Sequence, residues 1–223
     1  MQTAGAALKQ HAITYLVRQA GHPRGVVGWA YGWVFALRPS NRQRAIWAVS
    51  LLDVRPTDRV LEIGFGPGVA IAEFAGRATQ GHVFGIDHSQ AMVRHAARRN
   101  AAAVRARRVH LTHASVEQLP SFGDPLDAIL AVNSLGFWPD PVDRLRELRR
   151  LLRPAGRIAL VSQPRCPGAT RDTTARAAQE LQDMLTQAGF THTRVETLDL
   201  HPPVACVLAT NPTGPDVECG HRK

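Results

Sequence analysis

The chain has 223 residues, 44% of them hydrophobic, enough for one substantial core and too few to expect a second independent domain. Lysine and arginine (27) exceed aspartate and glutamate (18) for a net charge of +9, yet the basic residues are spread over 38–44, 94–108, 144–157 and the tail. That spread reads as a solvated basic surface rather than one nucleic-acid patch. Three cysteines without C-x-x-C pairing argue against a disulfide framework or a zinc ribbon, and no apolar run is long enough to span a bilayer.

Residues 1–52 read as a mostly helical extension. A helix is expected over 43–52, carried by Ile46, Trp47 and Leu51 and capped by Asn41. Ahead of it, 25–37 is apolar and aromatic, contains Trp29 and Trp33, and is bounded by Arg24 and Arg38. Its glycines each cost a helix about 1 kcal/mol relative to alanine, which suits a mobile cover. Three readings of this segment stay open: a lid over a ligand site, an interfacial helix making transient membrane contact, and a dimer contact in a chain that is otherwise a monomer. Without a signal peptide pattern at its start, the chain is expected in the cytoplasm.

A linker at 53–57 leads into a domain over 53–210 in which strands and helices alternate. Strands are expected near 59–64, 82–87, 107–112, 126–132, 157–163, 193–200 and 203–210, and helices near 68–77, 89–103, 141–152 and 172–188. This order predicts an α/β fold, a Rossmann-like, mostly parallel seven-stranded sheet with helices on both faces. Only His201, Pro202 and Pro203 separate the last two strands, so they form an antiparallel hairpin. Residues 211–223, polar and proline-bearing, are expected to be a flexible tail.

The densest chemical signal sits at the first strand, where Val60, Leu61, Glu62 and Ile63 run into Gly64, Phe65, Gly66, Pro67 and Gly68. Glycines at alternate positions allow positive φ and the close approach of a ligand. Asp87 ends the next strand, nineteen positions after Gly68, where a carboxylate can accept hydrogen bonds from both ribose hydroxyls. The spacing differs from the dinucleotide fingerprint G-x-G-x-x-G/A, because Val69 stands where its third small residue belongs. Glu62 also suits an ammonium group better than a phosphate. The pocket therefore favours the amino-acid end of S-adenosyl-L-methionine.

At these residues the chain resembles the class I S-adenosylmethionine-dependent methyltransferases, in particular the small-molecule branch called methyltransferase type 11. The family's E-x-G-x-G-x-G falls on Glu62, Gly64, Gly66 and Gly68, and its acidic ribose ligand on Asp87. The run from Ala114 through Ser115, Val116, Glu117 and Gln118 to Leu119 and Pro120 is similar to its adenine-lining segment, although Ser115 replaces the family's acid. Asp127 to Ser134 resembles the fourth strand, and Leu145 to Ile158 the helix, turn and fifth strand, with Ala155 where the family has glycine.

The resemblance implies binding of S-adenosyl-L-methionine and release of S-adenosyl-L-homocysteine. It places Glu62, Gly64, Phe65, Gly66, Pro67 and Gly68 at the methionine end, Asp87 at the ribose with His88 and Met92 nearby, Ser115 and Val116 at the adenine, and Asn133 at the fourth strand's end. Ser134, Phe137, Trp138 and Gln163, with Trp29 and Trp33 of the lid, are candidates for the acceptor side. The activity implied is methyl transfer to a small apolar or aromatic molecule by in-line displacement, for which a general base is optional. A phospholipid or nucleic-acid methyltransferase, or a cofactor-binding regulator without catalysis, are the rival readings. Nucleic acid is not expected as a partner, because no Asn/Asp-Pro-Pro-Tyr/Phe motif occurs, and no residue spacing suggests a metal site.

Overall fold

The computed structural model describes residues 39–164, 166 and 168–213. In chain order these form α1 (Pro39–Leu51), β1 (Arg59–Ile63), α2 (Val69–Arg77), β2 (His82–Asp87), α3 (Gln90–Arg99), α4 (Ala101–Arg105), β3 (Val109–His113) and β4 (Leu126–Val132). A short 3-10 turn (Leu135–Phe137) then leads to α5 (Pro141–Leu151), β5 (Leu152–Ser162), α6 (Arg171–Gln187), β6 (Thr191–Leu198) and β7 (Val204–Thr210). The segment 25–37 with Trp29 and Trp33, and tail residues 214–223, lie outside the described residues.

The seven strands form one sheet in the order β3-β2-β1-β4-β5-β7-β6. Neighbours through β5 are parallel, and β7 pairs antiparallel with both β5 and β6, so the mostly parallel sheet ends in the expected hairpin. Alternation along each strand sends successive side chains to opposite faces. Ala128 and Leu130 of β4 join Ala48 and Val49 of α1, Ile71 and Phe74 of α2 and Ala96 of α3 in one cluster. Ile129 and Ala131 join Leu145 and Leu148 of α5 and Leu181 and Leu185 of α6 in the other. Burial on both faces explains why the central strands read as near-continuous apolar runs.

Three expectations are corrected. Asn41 does not cap a helix; it lies inside α1, buried, and its Oδ1 accepts from Arg44 at 2.9 Å. The helix expected over 89–103 breaks at Asn100, whose side-chain amide donates to the carbonyls of Gly68 (3.1 Å) and Ala96 (2.9 Å). Asparagine competes in this way with the helix's own hydrogen bonds. The fifth strand starts earlier than 157, because Leu152 already pairs with Leu126 before the register jumps to Ala128 opposite Arg157.

Much of the arginine content is engaged within the fold. Arg157 pairs with buried Asp58, Arg153 with Asp127, and Arg77 with Glu73. The basic balance is therefore partly architectural. Among the described residues, no helix is long and apolar enough to cross a membrane.

Candidate functional site at the carboxyl ends of the strands

After β3 the chain returns to the other side of β1, so the strand order reverses between β1 and β4. Open sheets of this kind bind ligands outside the strand ends at such a point. A cavity of about 420 Å³ lies there, lined by the ends of β1, β2 and β4, the segments that follow β3 and β4, and α1.

Glu62 shares its face of β1 with Val60, toward α1 and α2, since Leu61 and Ile63 belong to the opposite cluster. Its carboxyl takes a hydrogen bond from the backbone of Ile71, one of the helix-start donors that α2 cannot use internally. Burial pushes Glu62 well above its ordinary 4.5, the nearby Asp87 charge adds to that push, and the Ile71 bond opposes it. Its Oε2 is buried without a hydrogen-bond partner. A buried acceptor in that state is satisfied by a donor from a ligand, ideally a cationic one.

Asp87 is tied to the glycine loop. Its Oδ2 accepts from the Gly66 N–H and its Oδ1 from the Ser89 N–H, both at 2.8 Å. Burial raises its carboxyl above the ordinary 3.8, while these two amides, and the neighbouring His88 and His113, pull it back. The loop glycines have two distinct duties. A Cβ on Gly66, at φ +52, would meet no protein atom within 4 Å, so its open side faces ligand space. A Cβ on Gly68, at φ +75, would sit 2.6 Å from that of Ala96, so this glycine lets α2 and α3 approach.

The structure brings together most of the residues singled out in the sequence. Glu62, Gly64, Phe65, Gly66, Pro67, Asp87, His88, Met92, Ser115, Val116, Asn133, Ser134, Phe137 and Trp138 all line the cavity. Gly68 and Gln163 do not appear in its lining. The two aromatic residues after β4 divide: Trp138 is 8% exposed and packs in the core, whereas Phe137 is 55% exposed at the cavity edge. Ser134 donates its hydroxyl to the Ile63 carbonyl at 2.9 Å, which ties the loop after β4 to the end of β1.

Sequence reading missed the contribution of α1. Asn41, Arg44 and Ala45 line the cavity, and Arg44 is only 6% exposed. Arg44 donates to Oε1 of Gln163, which follows β5, as well as to Asn41. Gln163 in turn donates its backbone N–H to Asn133 Oδ1 and its side-chain amide to the Pro202 carbonyl, both at 2.8 Å. An arginine in a helix otherwise read for its apolar residues was the available signal. Among the described residues, no group of three or more histidine, cysteine or acidic side chains is placed to hold a metal ion.

Residues 60–156, from β1 into β5, match the family model described as a methyltransferase domain. Over these residues the chain carries a methyltransferase domain. The chain is 28% identical to the uncharacterized methyltransferase YdaC of Bacillus subtilis over 179 residues, 80% of this chain and 97% of that one. It is 30% identical over 122 residues to the ubiquinone/menaquinone biosynthesis C-methyltransferase of Geotalea daltonii, and 36% over 110 residues to the 27-O-demethylrifamycin SV methyltransferase of Amycolatopsis mediterranei. The chain spans 52% and 40% of the length of those two relatives, and the matches cover 53% and 49% of this chain.

Among solved structures, the N-methyltransferase NodS of Bradyrhizobium japonicum, in complex with S-adenosyl-L-homocysteine, superposes with a TM-score of 0.63 at 18% identity. The alignment covers 81% of this chain and 92% of NodS. The (4+2)-cyclase SpnF superposes with a TM-score of 0.64 at 20% identity, over 78% of this chain and 82% of SpnF. These likenesses are of fold. Proteins of such different names on one scaffold mean that the reaction has to be argued from the site.

Proposed function

We propose that the methyltransferase binds S-adenosyl-L-methionine in the cavity at the β1–β4 switch point and transfers its methyl group to a small organic acceptor. The observation that carries this reading is the unpartnered, buried Oε2 of Glu62 beside the open side of Gly66. An ammonium donor satisfies that oxygen, and a ligand backbone or chain lies against the glycine without meeting a side chain. Asp87, held in place by the Gly66 and Ser89 amides, presents its carboxylate toward a ribose, and Ser115 with Val116 lies where an adenine would rest. When bound, the cofactor supplies an electrophilic sulfonium methyl.

The chain's own part in the reaction is positioning and exclusion of water. Holding two reactants in near-attack geometry contributes several kcal/mol, up to about 7–11 in the best cases, so no dedicated base is required. Phe137, Trp138, Pro139 and Val132 are apolar residues of the lining against which an acceptor would rest. A small apolar or aromatic acceptor is further supported by relatives named for methylation in menaquinone biosynthesis and of a demethylrifamycin.

Titration calorimetry with S-adenosyl-L-methionine, S-adenosyl-L-homocysteine and NAD tests the cofactor half of this reading. Binding of both sulfur nucleosides in the micromolar range and none of NAD is expected; the reverse pattern ends the proposal. Transfer of label from methyl-labelled cofactor to quinone, phenol or hydroxylated polyketide acceptors tests the other half.

A further inference from the structure

The residue that follows β4 carries a polar group whose orientation is settled by its partner. Asn133 is half-buried, lines the cavity and sits at φ +51, in the left-handed region that asparagine adopts more readily than most residues. Its Oδ1 accepts from the backbone N–H of Gln163 at 2.8 Å. A backbone N–H can only donate, so the oxygen and nitrogen of this amide cannot be exchanged. Its Nδ2 has no hydrogen-bond partner among the described residues, yet it is not sealed off from the cavity as the buried orphan atoms are. Asn133 therefore offers a ligand N–H donors and no acceptor. The polar side chains next to it are engaged within the fold: Ser134 gives its hydroxyl proton to the Ile63 carbonyl, and Gln163 donates to the Pro202 carbonyl.

Its place in the sheet assigns this donor to the acceptor side. Asp87 ends β2 and Ser115 follows β3, both on one side of β1, whereas Asn133 follows β4 on the other side, four residues before the exposed ring of Phe137. A group that only donates discriminates between nucleophiles. An ionised hydroxyl oxygen has lone pairs to spare, so it can accept from Asn133 and still present one to a methyl group. A neutral amine has a single lone pair, which a donor would occupy, and its N–H bonds find no acceptor on Asn133.

We propose that Asn133, oriented by the Gln163 backbone, selects the acceptor by donating to an ionised phenolic oxygen, so that the reaction of this cavity is O-methylation of a phenol. The phenol proton leaves to water beforehand, and the amide donor favours that ionisation. A lone pair of the oxygen then forms the O–CH3 bond while the S–CH3 bond breaks and leaves its electron pair on sulfur. The inference deepens the reading above and rests on it, and the test keeps the two separable.

The probes are 4-nitrophenol and 4-nitroaniline, which share one ring and differ in the acceptor atom. Each is titrated into the protein saturated with S-adenosyl-L-homocysteine, at a pH where the phenol is half ionised, for the wild type, Asn133→Asp and Asn133→Gly. Asn133→Asp keeps the bond from Gln163 and removes the donors; Asn133→Gly suits the left-handed backbone and adds no charge. The wild-type complex should bind the phenol about tenfold to a hundredfold more tightly than the aniline, and both variants should lose that preference while still binding S-adenosyl-L-homocysteine. The wild-type comparison needs no variant to fold, and if one variant fails to melt cooperatively the other decides. Equal affinity of the wild-type complex for the two probes, or binding of neither, overturns the proposal. So does a preference that Asn133→Gly retains, which would belong to the field of the cavity, or a loss confined to S-adenosyl-L-homocysteine, which would make Asn133 a cofactor residue. A wild-type protein that does not bind S-adenosyl-L-homocysteine overturns the nucleoside reading and this inference with it.

Discussion

The Gly66 N–H donates to Asp87 Oδ2 at 2.8 Å, so the acid that ends β2 holds the middle of the loop that follows β1. One side chain thus joins two cofactor-facing segments before any ligand arrives. Replacing Asp87 with alanine removes both the proposed ribose acceptor and this tether. Charge-assisted hydrogen bonds contribute about 1.5–3 kcal/mol, so affinity for S-adenosyl-L-homocysteine should fall about tenfold to a hundredfold by calorimetry. Unchanged affinity in a folded Asp87→Ala protein would reduce Asp87 to a structural strand end.

Glu62 makes stability and binding respond oppositely to pH. Its folded-state carboxyl is raised above its ordinary 4.5, chiefly by burial. Between that ordinary value and the raised one the folded state holds a proton that the unfolded state has lost, so the ligand-free protein loses stability as pH rises through this window. Glu62→Gln removes the burden. The variant should melt higher than the wild type at about pH 7, and the difference should shrink toward pH 4. S-adenosyl-L-homocysteine should behave in the reverse sense: its ammonium requires the ionised carboxylate, so wild-type affinity rises with pH through the window, and the variant binds weakly without that rise. Melting curves and titrations at several pH values check both signs.

The two duties of the loop glycines can be separated. Gly66→Ala should cost about 1–2 kcal/mol of stability, from the left-handed backbone alone. Gly66→Val should still melt cooperatively but bind S-adenosyl-L-homocysteine hardly at all, since its branched side chain enters open cavity space. Gly68→Ala should lower the melting temperature more than Gly66→Ala, because its Cβ meets Ala96 and the Asn100 amide. Equal melting temperatures for the two alanine variants would remove the distinction drawn between ligand space and helix contact.

Ala155 occupies a positive φ of +58 in the bulge that opens β5, where its Cβ opposes the backbone. Ala155→Gly should relieve strain and stabilise the protein by about 1 kcal/mol, net of glycine's added freedom in the unfolded chain. A rise of about 2–4 °C in melting temperature is expected for a chain of this size. The Ala155 N–H bond to the Asn211 carbonyl at 3.0 Å should survive the change.

The parts of the molecule legible beforehand were those in which a local pattern has one physical solution. Continuous apolar strands between amphipathic helices have to be covered on both faces, and a connection as short as 199–203 between the last two strands can only reverse the chain. The glycine loop, with Glu62 before it and Asp87 one strand later, was readable for the same reason, because backbone conformation and charge are set within a few residues of each other. Element limits failed where a side chain far along the chain intervened. Asn100 breaks a helix by reaching the Gly68 carbonyl, and Leu152 joins β5 early because Leu126 lies opposite it.

Tertiary structure alone decided which residues of each type face the cavity. Gly66 and Gly68 are equivalent in the motif, yet one borders open space and the other presses on Ala96, a residue of the next helix. Phe137 and Trp138 are adjacent in sequence, and packing against the α5–α6 side buries only the second. Arg44 had no recognisable role in its own helix because its partner Gln163 lies 119 positions away. The strand order that places β5 beside β4 brings them together, and a guanidinium that reads locally as surface charge becomes a buried wall of the site.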